Sequence, residues 1–175
     1  MRIIGLAGWS GSGKTTLLTK VLPHLIARGK RVSTLKHAHH NFDVDRPGKD
    51  SFEHRSAGAT EVLVVSGNRW ALMHELRGTP EPRLPELLEK LSDVDLVLIE
   101  GFKRESFPKL EIHRAANNKP LLQGEDGWIV AIASDTPLPQ ATVPVVDLDN
   151  IEGIADLLLA EAVSIGEIRA RADAI

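Results

Sequence analysis

Residues 8–16 read Gly8-Trp9-Ser10-Gly11-Ser12-Gly13-Lys14-Thr15-Thr16, a composition suited to cradling a polyanion. The three glycines let the backbone take positive φ and pass close to a bulky ligand. Its amide N–H groups then converge on phosphate oxygens as an anion nest. A helix starting at Lys14 would add unpaired N–H groups and a positive dipole end. Lys14 can reach the β- and γ-phosphates of a nucleotide, and the Thr15 hydroxyl can hold Mg2+. Gly11, Ser12, Gly13, Lys14, Thr15 and Thr16 are therefore the expected phosphate-binding residues. A Gly/Ser turn could match this pattern by chance. The apolar strand before it and the amphipathic helix after it are what chance would not supply.

Phosphate chemistry also needs an acid near the metal or the attacking water. Asp95 opens and Glu100 closes the apolar run Asp95-Leu96-Val97-Leu98-Ile99-Glu100. In a parallel sheet, ligands lie at the carboxyl ends of strands. Glu100 is thus expected beside the phosphate loop and Asp95 at the far end of the sheet. A second acid candidate, Asp45, lies in the polar stretch Lys36-His37-Ala38-His39-His40-Asn41-Phe42-Asp43-Val44-Asp45-Arg46-Pro47-Gly48-Lys49-Asp50. This stretch has three chemical readings: a transition-metal site of imidazole and carboxylate, a binding surface for an anionic substrate, or a Mg2+- or water-positioning loop. Neighbouring side chains at His37, His39 and His40 diverge in an extended chain, which makes poor chelate geometry. Lys36, His37, His39, His40, Lys49 and Arg55 are the candidate contacts for a second ligand or partner.

The elements that must position these residues follow from hydrophobic pattern. Arg2–Ala7 reads as a buried first strand. Leu17, Leu18, Val21, Leu22, Leu25 and Ile26 recur at helical spacing, and Gly29 ends the helix. Residues 31–35 form a second strand, giving a βαβ start. Asp50 and Glu53 suggest a capped short helix. Runs 61–65 and 69–73 flank Ser66-Gly67-Asn68 as a hairpin that could make the sheet mixed. A helix is predicted over 81–91, strands over 95–100, 109–114, 128–133 and 143–146, and a helix from Asn150 to about residue 162. The tail after Ser164 is expected to fray. The prediction is an α/β fold with a mainly parallel central sheet, as one domain over residues 1–165 with a tail over 166–175.

The bulk numbers fit an ordinary globular chain: 175 residues, 42% apolar and 26% charged,. Without Cys there is neither a disulfide framework nor a thiolate metal site,. Residues 1–50 carry nine basic and three acidic residues, whereas residues 51–175 carry twelve and twenty-one. A basic first part beside a phosphate loop suits an anionic ligand. With 4% aromatics and no Tyr, stacking platforms for nucleic acid are not expected,. No apolar run suits a signal peptide or a bilayer span. The expectation is a cytoplasmic protein with no nucleic-acid or membrane partner.

Several segments together resemble the MobB family of molybdopterin-guanine dinucleotide biosynthesis adapter proteins. They are residues 7–18, Lys36-His37-Ala38-His39-His40, residues 43–51, Arg55-Ser56-Ala57-Gly58-Ala59 and Leu98-Ile99-Glu100-Gly101-Phe102-Lys103. The likeness continues through residues 69–73, 109–114 and 131–135. It implies a three-layer P-loop NTPase-like fold, GTP and Mg2+ binding, weak GTP hydrolysis and a homodimer. It also implies action with the molybdenum cofactor guanylyltransferase on molybdopterin or its guanine dinucleotide. By position, Gly11 to Thr16 would bind phosphate, Thr15 with Asp45 or Glu100 would serve Mg2+ and catalysis, and the loop from His37 to Lys49 would touch pterin or partner. No Asn-Lys-x-Asp guanine motif is present. Asn118-Lys119-Pro120 lacks the Asp, and Asp135 stands as a substitute for reading the base. Trp9 and Ser10 occupy positions where many dimeric metal-delivery ATPases carry a second lysine, so activation by that lysine is not expected. Two other readings remain open at this point. One is a small-metabolite kinase with Arg104 and Arg114 in a lid, and the other is a nucleotide-gated metal chaperone.

Overall fold

A computed structural model describes residues 1–38 and 42–172, with side chains to residue 170. The chain forms two compact units, Met1–His37 with Leu84–Ile175, and Ala38–Arg83.

In the first unit, strands β1 (Arg2–Ala7) and β2 (Val32–Lys36) are joined by helix α1 (Lys14–Ala27). Further on come α3 (Leu84–Leu88), β5 (Leu96–Glu100), β6 (Lys109–His113) and a 3-10 turn at Ala115–Asn117. The unit ends with β7 (Ile129–Ser134), β8 (Val145–Asp147), α4 (Ile151–Glu161), β9 (Val163–Ser164) and α5 (Ile165–Ala172). The second unit contains α2 (Asp50–Ser56) and the strands β3 (Glu61–Val65) and β4 (Trp70–His74).

The main sheet runs β2-β5-β1-β6-β7-β8, all parallel. The period of two in each strand sends alternate residues to opposite faces. Ile4, Leu6, Leu96 and Leu98 pack with α1 and α4, through Leu17, Val21, Leu25, Ile154 and Leu158. Ile3, Val97 and Ile99 pack on the other face with Leu84, Leu88 and Ile168 of α3 and α5. This gives helix, sheet and helix layers. The near-continuous apolar runs of β1 and β5 follow from being covered on both faces.

The mixed character of the sheet has a different source from the one expected. The hairpin β3-β4 forms its own two-stranded sheet. The antiparallel member is β9, which pairs Val163 with Ile3 and Ser164 with Arg2. It occupies the lower part of an edge of β1 whose upper part, Gly5–Ala7, pairs with β6. The Arg2 guanidinium donates to Leu159 O (2.7 Å) and Ala160 O (3.2 Å), and also to Ala162 O, completing the end of α4,. From Ile165 to Ala172 the tail is helical, because Ile168 has a core to enter. The helix predicted over 81–91 is only Leu84–Leu88, with Pro82 outside it and Pro85 in its first turn,.

In the second unit, Val62 is buried, while Leu63, Val65, Trp70 and Leu72 are exposed. Register pairs Leu63 with Leu72 and Val65 with Trp70, so these four share one face of the hairpin,.

Candidate functional site

The phosphate loop joins the end of β1 to α1. Gly13 caps the helix in the left-handed region at φ 92°, and the first helical bond runs from Leu17 N–H to Gly13 O at 2.8 Å. The Lys14 ammonium folds back on the loop, donating to Gly8 O (2.8 Å) and Trp9 O (3.0 Å). Its pKa is lowered from the ordinary 10.5, chiefly by burial, against an opposing contribution from the Glu100 carboxylate. Lys103 and Lys36 lower it further, so four charged side chains share this neighbourhood. Lys103 was not among the residues expected here. Its position just past the strand end, two residues beyond Gly101, was the available signal. Ser12 is buried within the loop, and Thr15 and Thr16 are exposed at the start of α1.

Glu100 lies where a parallel sheet requires. It is in register with Leu6 of β1 on one side and with Lys36 of β2 on the other. The Lys36 ammonium stands 3.9 Å from its carboxylate, which is 15% exposed. Asp95 precedes the same strand at its opposite end and accepts from Arg31 N–H at 2.7 Å. That bond, before any charge effect, lowers its pKa. Past Glu100 the chain turns at Gly101, with φ 101°. A Cβ there would stand 2.6 Å from the Cβ of His37, so only glycine permits this approach,. His37 N–H donates to Glu100 O at 2.8 Å, and its ring lies 4.7 Å from that of Phe102. Lys36 and His37 are thereby tied to the same strand end as Glu100.

A second arm reaches the phosphate loop from the end of β6. The Trp9 indole N–H donates to Pro120 O (2.8 Å), and the Lys119 ammonium lies over the Trp9 ring at 5.8 Å. The Asn117 amide donates to Ser10 O at 3.3 Å. A Cβ on Gly13 would stand 2.9 Å from Arg114 Nε, so the Arg114 guanidinium rests against the loop backbone. Asp135, just past β7, accepts from Ala115 N–H at 2.9 Å and faces Arg114 Nη1 at 3.8 Å. Glu111, buried in β6, accepts from the amides of Leu122 and Gln123 at 2.7 and 3.0 Å and anchors the returning chain. Burial raises its pKa despite those two bonds.

Asp45, Lys49 and Arg55 belong to the second unit. Arg55 Nη2 donates to Asp43 and Asp45 at 2.7 Å each, and Nη1 donates to Glu75 at 3.2 Å. The Asp45 side chain is 8% exposed. One of its oxygens serves Arg55, and the other is buried without a hydrogen-bond partner among the described residues. The Arg55 hydrogen bond holds Asp43 below its ordinary pKa, and the same contacts push Arg55 above its own. Lys49 is exposed before α2. His39 and His40 lie outside the described residues. Among the described residues, no group of three or more His, Cys, Asp or Glu is arranged to hold a metal ion. No described helix is long and apolar enough to cross a membrane.

A family model described as molybdopterin guanine dinucleotide synthesis protein B matches residues 3–135. The chain is 44% identical over 160 residues to the molybdopterin-guanine dinucleotide biosynthesis adapter protein of Escherichia coli strain K12, covering 90% of this chain and 91% of that one. It is 44% identical over 159 residues to the protein of the same description from Haemophilus influenzae, covering 89% and 86%. Among solved structures, a molybdopterin-guanine biosynthesis protein B superposes with a TM-score of 0.73 at 28% identity, over 90% of this chain and 98% of that one. The matched span includes the phosphate loop and the Glu100 strand, in a sheet of the expected parallel order, and the chain belongs to the MobB family.

Proposed function

We propose that this chain binds GTP with Mg2+ at residues 8–16 and serves as an adapter in forming or delivering molybdopterin guanine dinucleotide. The observation that carries the nucleotide reading is the juxtaposition of Lys14, at the start of α1, with Glu100 and Lys36 at the carboxyl ends of adjacent strands. It supplies cations for phosphate and a carboxylate for the metal. Thr15 and Glu100 are hard oxygen donors of the kind Mg2+ prefers, with room left for waters and phosphates. Mg2+ would neutralise charge on the β- and γ-phosphates, and Glu100 would hold or orient its water shell. Asp45 is the weaker choice, since Arg55 already engages its carboxylate. The guanine preference rests on the family and on the relatives' names.

Hydrolysis is expected to be slow, as the family resemblance implies, and with Trp9-Ser10 in place no activation by a second lysine is expected. Lys36 and His37 of the first unit are proposed to face the pterin or the guanylyltransferase, and His39, His40, Lys49 and Arg55 of the second unit are separate candidates for a partner contact. The exposed apolar face of Leu63, Val65, Trp70 and Leu72 supports a homodimer,.

Calorimetric titration with GTP and ATP, with and without Mg2+, tests the reading. GTP is expected to bind more tightly than ATP. Lys14→Ala should weaken GTP roughly a hundredfold, the value of one or two charge-assisted hydrogen bonds, while the melting temperature holds. Unchanged affinity in that variant would sink the proposal.

A further inference from the structure

Arg114 and Asp135 form a pair whose placement is unusual for a helix start. Arg114 lies against Gly13, the residue that caps α1. A helix N-terminus carries a partial positive charge and repels a cation. The first turn of α1 contains no acidic residue to offset this. Asp135 supplies the compensating charge from the end of β7, with Oδ2 3.8 Å from Arg114 Nη1. Its other oxygen accepts from Ala115 N–H, which fixes the backbone that carries the arginine. Asn117, two residues further on, holds Ser10 O. The carboxylate is thus turned toward residues 114–115. Reading guanine would require both oxygens to accept from the base N1–H and N2–H2 groups.

We propose that Arg114, steered by Asp135, is a positioning residue that raises the affinity of the phosphate loop for any triphosphate. Asp135 then serves the phosphates through Arg114 and does not read the base. The inference rests on the nucleotide reading above. A cation held where the helix dipole disfavours it gains when a polyanion enters the loop, and the anion gains equally. Both side chains are about one-third exposed, so solvent screens the pair and the effect is modest,.

The test compares GTP, ATP and inorganic tripolyphosphate, each with Mg2+, by calorimetry. Asp135→Asn keeps an oxygen for Ala115 N–H and removes the charge beside Arg114. It should weaken all three ligands by the same factor, roughly three- to fivefold. Arg114→Gln should do the same by roughly fivefold, the double variant should fall no further, and Arg114→Lys should retain most of the affinity. Thermal melting establishes that each variant is folded, and Arg114→Lys with Asp135→Asn suffices should Arg114→Gln fail to fold. Loss of GTP binding alone in Asp135→Asn would make this residue the base reader and overturn the inference. Additive losses in the double variant, or unchanged tripolyphosphate binding, would overturn it as well. If the unaltered chain bound none of the three, the nucleotide reading would fall with it. If it bound all three and the variants matched it, only this inference would fall.

Discussion

Lys36 and Glu100 are register partners on adjacent parallel strands, and their charges lie 3.9 Å apart. The lysine is 65% exposed, so the pair itself contributes little to stability,. In the function proposed above, the acid is a metal partner held in place by the sheet. Glu100→Gln is therefore expected to abolish most of the gain in GTP affinity that Mg2+ confers, and to leave binding in EDTA nearly unchanged. Lys36→Ala should shift melting by less than the equivalent of about 1 kcal/mol. Equal affinity of Glu100→Gln and the unaltered chain in Mg2+ would remove Glu100 from the metal site.

Lys14 gives a pH dependence with a definite sign. Burial lowers its pKa below 10.5 in the free protein. A bound triphosphate favours the charged ammonium and raises the value again. Affinity should be full below the lowered pKa and should decline as pH rises through it toward 10.5, with proton uptake on binding in that window,. Titrations in buffers of different ionisation enthalpy measure the uptake. Lys14→Arg, which stays charged, should flatten the profile.

Gly101 offers a stability test. Its φ of 101° and the 2.6 Å approach to the His37 Cβ leave no place for a methyl group. Gly101→Ala should cost about 2 kcal/mol or more, from strain and displacement of His37. Thermal melting should show a drop of several degrees. An unchanged melting temperature would mean that the turn adapts freely.

The Arg55 clasp makes the second unit acid-sensitive. The folded pKa of Asp43 lies below the ordinary 3.8, so its contribution is present above that value and lost as pH falls through the lowered one,. Hydrogen exchange over residues 50–57 should accelerate in that acid range. Arg55→Ala should produce the same opening at neutral pH, because Asp43, Asp45 and Glu75 would face one another without their cation. Tryptic cleavage at Lys49 reports it directly.

Much of this arrangement is legible in the residues themselves. The runs at 2–7 and 95–100 are apolar because both faces are covered, and that same pattern marks their carboxyl ends as the ligand side. The phosphate loop is local in sequence, so its residues and the strand and helix that flank it can be read together without any distant contact. The strand Lys109-Leu110-Glu111-Ile112-His113 is a different case. It alternates as a half-exposed strand would, yet both Lys109 and Glu111 are buried. Lys109 reaches Asp126, and Glu111 receives the amides of Leu122 and Gln123. Such partners lie more than ten residues away, and no local pattern announces them. Arg114 is hidden for the same reason: its meaning depends on Gly13 and Asp135, each brought to it by a different strand.

The two-residue strand β9 ties the start of β1 to residues 163–164. The central strand of the main sheet therefore cannot acquire its full set of neighbours until almost the whole of this sequence is available. Pairings so distant along the chain make for slow closure. During synthesis, residues 2–3 would wait with an unsatisfied edge while the phosphate loop a few residues later already has its strand and helix. The strand is therefore completed last at the end opposite the phosphate loop, more than 150 residues after the segment it locks.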